Sequence, residues 1–161
     1  MTTLLDLCRD LPVQHFAPGD ALLTEGERSG RLYILIEGEV EVRKGDVEIP
    51  TITEPGSIFG ELSALLGLPH TALVRALTPC RVHVIEQADA FLRSNPVVTY
   101  QLARLLAQRL NTITTYLADL KNQFQDAEDH LGMVDEVLHN LLHQQVEECA
   151  PGSVRDPDSA T

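Results

Sequence analysis

The stretch FGELSALLGLPHTALVRA, Phe59 to Ala76, decides the fold. It joins a Phe-Gly-Glu entry and a short leucine-rich run to a Pro-His-Thr exit. If Glu61 to Leu66 form one short helix preceded by Gly60, the glycine permits a close backbone approach. The first-turn N–H groups then face whatever lies before them, as an anion site requires. The Glu61 carboxylate would repel a phosphate but would accept a hydrogen bond from a sugar hydroxyl, and His70-Thr71 would complete a ribose-phosphate site. A plainer explanation stands beside this one. A glutamate at a helix N-terminus is favoured by the helix dipole alone, and Thr71 could simply begin a strand.

Upstream, ALLTEG, RLYILIEGEVEVRKG and VEIPTITEPG are short runs rich in Val, Ile and Leu, broken every eight to twelve residues by Gly19-Asp20, Gly30, Gly38, Gly45-Asp46 and Pro55-Gly56. That rhythm belongs to a small antiparallel barrel or sandwich. Val40, Val42, Val47 and Ile49 alternate with Glu39, Glu41, Arg43 and Glu48, as expected of strands with one buried and one wet face. The more uniformly apolar LYILI is expected to be an inner strand. Downstream, TALVRALTP and CRVHVIEQ read as two more strands and ADAFLRSN as a short helix ending at Pro96.

Beyond Asn95-Pro96 about fifty residues contain no proline and one glycine, Gly132. Leu110, Leu117, Phe124, Leu131 and Leu138 fall on a positions, and Leu106, Ile113, Leu120, Ala127, Val134 and Leu141 on d positions. This four-three alternation predicts a coiled coil; a single amphipathic helix lying on its own β domain is the alternative. Val137 and Leu142 widen the stripe, which favours more than two helices or a docked partner there. Gly132 could kink the helix or turn it back on itself. The closing APGSVRDPDSAT is expected to be disordered.

The 59–76 stretch resembles the phosphate-binding cassette of the cyclic-nucleotide-binding domain, the β-roll module of catabolite activator proteins, protein kinase A regulatory subunits and cyclic-nucleotide-gated channels. The family pattern F-G-E-[L/I]-[A/G/S] and R-[S/T]-A-x-V-x-A stands here as Phe59-Gly60-Glu61-Leu62-Ser63 and His70-Thr71-Ala72-Leu73-Val74-Arg75-Ala76. FAPGDALLTEGERSGRLYILIEGEVEV is similar to the family's opening strands, EPGSIFGE to the approach to the cassette, and NPVVTYQLARLLAQRLN to the helix after the roll. The likeness runs from about Phe16 to Asn111.

The resemblance implies that Gly60 and Glu61 meet the ribose 2′-hydroxyl and the cyclic phosphate, with Thr71 adding a hydroxyl and an N–H. Leu62, Ser63 and Ala72 belong to the same cassette. Val42 and Thr51 align with positions near the base, and Thr114 with a long-helix residue that reaches the purine. The chain departs from the family at His70, where ligand-competent members carry an arginine. A histidine offers one donor arm and a part-time charge instead of a permanent two-pronged fork. The exchange would cost roughly 1.5–3 kcal/mol, about ten to a hundredfold in affinity. Arg75, further along the strand, is a candidate substitute cation.

Composition narrows the function. A net charge of −12 and a pI near 4.7 repel nucleic-acid phosphates, and acidic heptads stand where bacterial relatives continue into a DNA-binding domain, so DNA binding is not expected. No apolar run reaches eighteen residues and no secretory signal opens the chain; a cytoplasmic protein is expected. Cys8, Cys80 and Cys149 form no CxxC or Cys/His cluster, as expected of free thiols. The six histidines form no HExxH and no serine lies in GxSxG, so no enzyme is expected. His139 and His143 share a helix face, but exposed polar histidines are commoner than metal ligands, and no metal is expected.

The fold expected is α+β: an antiparallel, jelly-roll-like β-roll over 1–95 with short flanking helices, a long coiled-coil helix over 96–149 and a tail over 150–161. The function expected is a non-enzymatic regulatory module. It would bind a cyclic purine nucleotide, cAMP before cGMP, and signal through a homo-oligomerising helix to a protein partner. The alternatives are a ligand-independent scaffold and a sensor of another anionic nucleotide such as cyclic di-GMP.

Overall fold

A computed structural model describes residues 3–123 and 128–143. The elements run α1 (Leu4–Leu7), β1 (Val13–Phe16), β2 (Ala21–Leu23), β3 (Leu32–Glu37), β4 (Val40–Lys44), β5 (Val47–Ile52), β6 (Ile58–Phe59), α2 (Glu61–Leu66), β7 (Leu73–Ala76), β8 (Cys80–Ile85), α3 (Ala88–Ser94), α4 (Pro96–Gln123) and α5 (Glu128–His143). Two four-stranded antiparallel sheets result, ordered β1-β8-β3-β6 and β2-β7-β4-β5. As expected, LYILI lies inside its sheet, between β8 and β6.

The sheets share one core. Phe16, Tyr33, Leu35, Phe59, Val82 and Val84 from the first sheet and Leu22, Leu23, Val40, Val42, Val74 and Ala76 from the second form one buried cluster. Successive side chains on a strand point to opposite faces, so Leu32, Ile34 and Ile85 turn the other way, yet they too are buried. Ala88, Leu92, Val98 and Leu102, on α3 and the first turns of α4, are buried as well. Each such Val, Leu or Ile side chain contributes about 1.5–3 kcal/mol on leaving water.

The alternation around the β4–β5 hairpin is only half realised. Val40 and Val42 are in the core, but Val47 and Ile49 are 64% and 38% exposed. β5 is an edge strand whose neighbours lie on one side only, and residues 47–51 are exposed throughout. Glu41, expected to be wet, is buried because Arg75, its register partner on β7, forms an ion pair with it. β1, β6 and α1 had no counterpart in the sequence reading.

The chain divides into two compact units, one to Leu102 and one from Ala103. α4 is the long helix expected, 28 residues. The unbroken heptad helix through Leu141 is not formed. Lys121 is ion-paired with Asp135, fourteen positions on, and an uninterrupted helix would hold them about 21 Å apart, so α5 folds back toward α4. Gly132 is not the turning point; it lies within α5. Leu106, Leu117, Leu120, Val134, Leu138 and Leu141 are half-buried, whereas Leu110 and Ile113 are exposed. Leu131 lies within α5; Phe124, Ala127, Cys149 and the tail over 150–161 lie outside the described residues.

Gly38 joins β3 to β4 at φ +115°, and a Cβ there would lie 2.6 Å from Cys80 Sγ and 2.7 Å from the Pro79 carbonyl oxygen. Gly45, in the next hairpin, has φ +60° and open space. Gly38→Ala is therefore expected to cost about 2–4 kcal/mol and Gly45→Ala about 1–2 kcal/mol. Urea unfolding of the two variants measures this, and equal losses would contradict the packing at Gly38.

Candidate functional site

β6 delivers the chain to Gly60, which takes φ +96° as the residue before α2. Any side chain there would run into the Arg31 carbonyl oxygen at the start of β3, so only glycine lets the start of α2 approach the sheet this closely. Glu61 follows, 8% exposed. Leu62 is 41% exposed. The Ser63 hydroxyl donates to the Leu68 carbonyl, which closes the turn after α2. Gly67 ends the helix in the left-handed conformation.

His70 comes next, and the β2–β3 loop grips it on both sides of its backbone. Gly26 N–H donates to the His70 carbonyl at 2.9 Å and His70 N–H donates to the Glu27 carbonyl at 2.8 Å. Arg28 Nη1 donates to the Gly67 carbonyl at 2.9 Å. The imidazole is 4% exposed. Its Nε2 lies 2.7 Å from Ser29 Oγ, while Nδ1 is sealed from solvent with no hydrogen-bond partner among the described residues. Such an orphaned buried polar atom costs about 1–3 kcal/mol. Burial lowers the His70 pKa below its ordinary 6.5, partly opposed by the nearby Glu27 carboxylate. Position 70 therefore carries a neutral ring at pH 7.

The expected site residues separate into groups. Gly60, Glu61, Leu62, Ser63, His70, Thr71 and Ala72 lie on one continuous segment between β6 and β7, and Ala72 packs on the core. Val42 is 9% exposed and committed to the core between the sheets. Thr51 lies on the exposed edge strand β5. Thr114 belongs to the second unit, with its hydroxyl buried and unpartnered among the described residues. Arg75 is not a free substitute cation, since Glu41 holds it. The sequence reading missed the 26–29 grip; its only trace is a polar stretch between Gly26 and Gly30, too short for a strand.

The sequence profile of the cyclic nucleotide-binding domain matches residues 13–93, the whole roll with its cassette. The chain belongs to the cyclic nucleotide-binding domain family. Within that family it is similar to the CRP-like cAMP-activated global transcriptional regulator of Mycobacterium tuberculosis, 32% identical over 71% of this chain and 54% of that protein. It is also similar to the cAMP-dependent protein kinase regulatory subunit of Yarrowia lipolytica, 37% identical over 52% of this chain and 22% of that one. The chain thus spans about half of the first relative's length and less of the second's. Thermus thermophilus catabolite activator protein has the same fold, with a TM-score of 0.60 and 21% identity over 90% of this chain and 83% of that one. Among the described residues no helix is long and apolar enough to cross a membrane.

The buried neutral ring has a signature in stability. With its pKa lowered by folding, His70 binds a proton more readily in the unfolded chain. The stability linked to it is full above 6.5 and is lost as pH falls below that value. Between about pH 7.5 and about 5.5 the urea midpoint of the wild type should fall further than that of His70→Asn. Parallel curves would mean that the ring is solvated.

Proposed function

We propose that the cassette binds a cyclic purine nucleotide, cAMP before cGMP, and that binding is passed through the helical unit to a partner. The observation that carries this is Gly60 at φ +96° setting a buried Glu61 at the first turn of α2, on the segment that ends in Thr71. Glu61 would accept the ribose 2′-hydroxyl. The backbone N–H groups of Glu61 and Thr71, with the Thr71 hydroxyl, would donate to the cyclic phosphate. Both cited relatives carry cAMP in their names, which supports that nucleotide first. For the ligand to act as a signal it must bind two arrangements of the chain with different affinity, because equal affinity shifts no population.

The helical unit would supply assembly. Leu110, Ile113 and Tyr116 on α4 are 41%, 51% and 62% exposed in the single chain, and Met133 and Val137 on α5 are 69% and 43% exposed. Apolar side chains at this density favour a homo-oligomer joined through α4 and α5. Ile113→Glu combined with Leu110→Glu should yield a monomer at micromolar concentration, as read by sedimentation velocity. A wild type that is already monomeric would end the assembly proposal.

One observation favours the ligand-independent scaffold as the second reading: His70 is neutral and turned to Ser29 instead of standing as a permanent cation. Calorimetry with cAMP, cGMP and cyclic di-GMP separates the two. The sensor reading expects cAMP to bind below millimolar concentration, and expects His70→Arg to tighten it by about ten to a hundredfold. No binding of any of the three by either protein would establish the scaffold, and preference for cyclic di-GMP would move the ligand class.

A further inference from the structure

Ser29, in the β2–β3 loop, makes three contacts that together dictate a protonation state. Its Oγ accepts the Arg31 N–H at 3.2 Å. The same Oγ lies 2.7 Å from His70 Nε2, and the Ser29 main-chain N–H points at that nitrogen from 3.4 Å. A protonated Nε2 would set N–H against N–H. With Nε2 as the acceptor, the Ser29 hydroxyl proton and the main-chain N–H both meet a lone pair, and the Arg31 N–H meets the hydroxyl oxygen. The ring proton then belongs on Nδ1, the atom left buried without a hydrogen-bond partner among the described residues.

We propose that Ser29 is a positioning residue that holds His70 as the Nδ1–H tautomer, so that position 70 offers a ligand oxygen one uncharged N–H donor. The oxygen meant is an exocyclic oxygen of the cyclic phosphate, and to that extent the inference rests on the nucleotide reading of the cassette. A guanidinium at this place brings its charge and two donors with it. The Ser29–His70 pair brings a single direction, fixed by a residue 41 positions earlier in the chain. Nδ1 has no acceptor among the described residues, so its proton is the one such a ligand oxygen would meet once the cassette admits it.

Nitrogen-15 NMR of the imidazoles in the full chain at pH 7 tests the tautomer directly, with His70 assigned by its loss in His70→Asn. The expected spectrum has a protonated Nδ1 and an unprotonated Nε2 at His70. Ser29→Ala should convert the ring wholly or partly to Nε2–H and weaken cAMP binding by roughly 3–10-fold. Ser29→Thr, which keeps the hydroxyl, should leave both unchanged and serves if the alanine variant does not fold. The asparagine amide reaches close to the Nδ1 position and the glutamine amide close to Nε2, so His70→Asn should stay within about threefold of the wild type while His70→Gln loses about tenfold. An Nε2–H ring in the wild type overturns the assignment, whatever binds. So does a glutamine variant that binds cAMP as well as the asparagine one. If the wild type shows Nδ1–H but binds no cyclic nucleotide, the Ser29 assignment stands and the nucleotide reading falls.

Discussion

Tyr33, Leu35, Val40 and Val82, none more than 1% exposed, hold the two sheets face to face, and the remaining elements take their places from that contact. β6 pairs with β3 in one sheet and β7 pairs with β4 and β2 in the other. The cassette is the chain between β6 and β7, so its two ends are anchored in opposite sheets. The β2–β3 loop makes the same crossing. Two segments that bridge the same gap are brought side by side, and the backbone bonds between Gly26, Glu27 and His70 follow. Loosening the core would therefore be felt at the cassette, because neither segment has a long regular element of its own to hold it.

The electrostatics of the cassette follow from what that arrangement excludes. The imidazole sits where solvent does not reach, and desolvation keeps it neutral despite the carboxylate of Glu27. Arg75, the strand arginine that follows His70 in sequence, is already committed to a carboxylate buried by the same sheet. At position 70 an anion would thus be met by an oriented dipole; the permanent positive charge on the cassette is that of Arg28, held on the Gly67 carbonyl. Dipoles fixed by backbone geometry are selective in direction but weaker at a distance than a cation, so the neutral ring adds direction where an arginine would add reach.

What could be read in advance, and what could not, divides along the range of the interactions. β3 was legible because an unbroken apolar run buried on both faces is visible in its own letters. The conformation of Gly60 was legible because a glycine just before a helix start marks a tight backbone approach. The exposure of Val47 and Ile49 was not, because alternation reports that a strand has two faces, not whether anything covers them. Glu41 looked solvent-facing until Arg75 came across from β7, 34 residues away. The heptads marked an apolar stripe, but period alone does not say whether such a stripe meets another chain or the next helix of this one. The side chain of His70 was legible as a departure from arginine; its attachment to Ser29 was not, since no local pattern joins residues so far apart.

β5 has a consequence of another kind. It leaves one edge of the second sheet open, with Glu48 and Thr51 among its exposed residues. Pro50 lies within this strand and has no N–H to offer. A strand arriving from another molecule would find a gap in the ladder and a carboxylate to displace, the two devices by which sheet proteins discourage edge-to-edge aggregation. This edge of the roll is thereby disfavoured as a place for sheet extension.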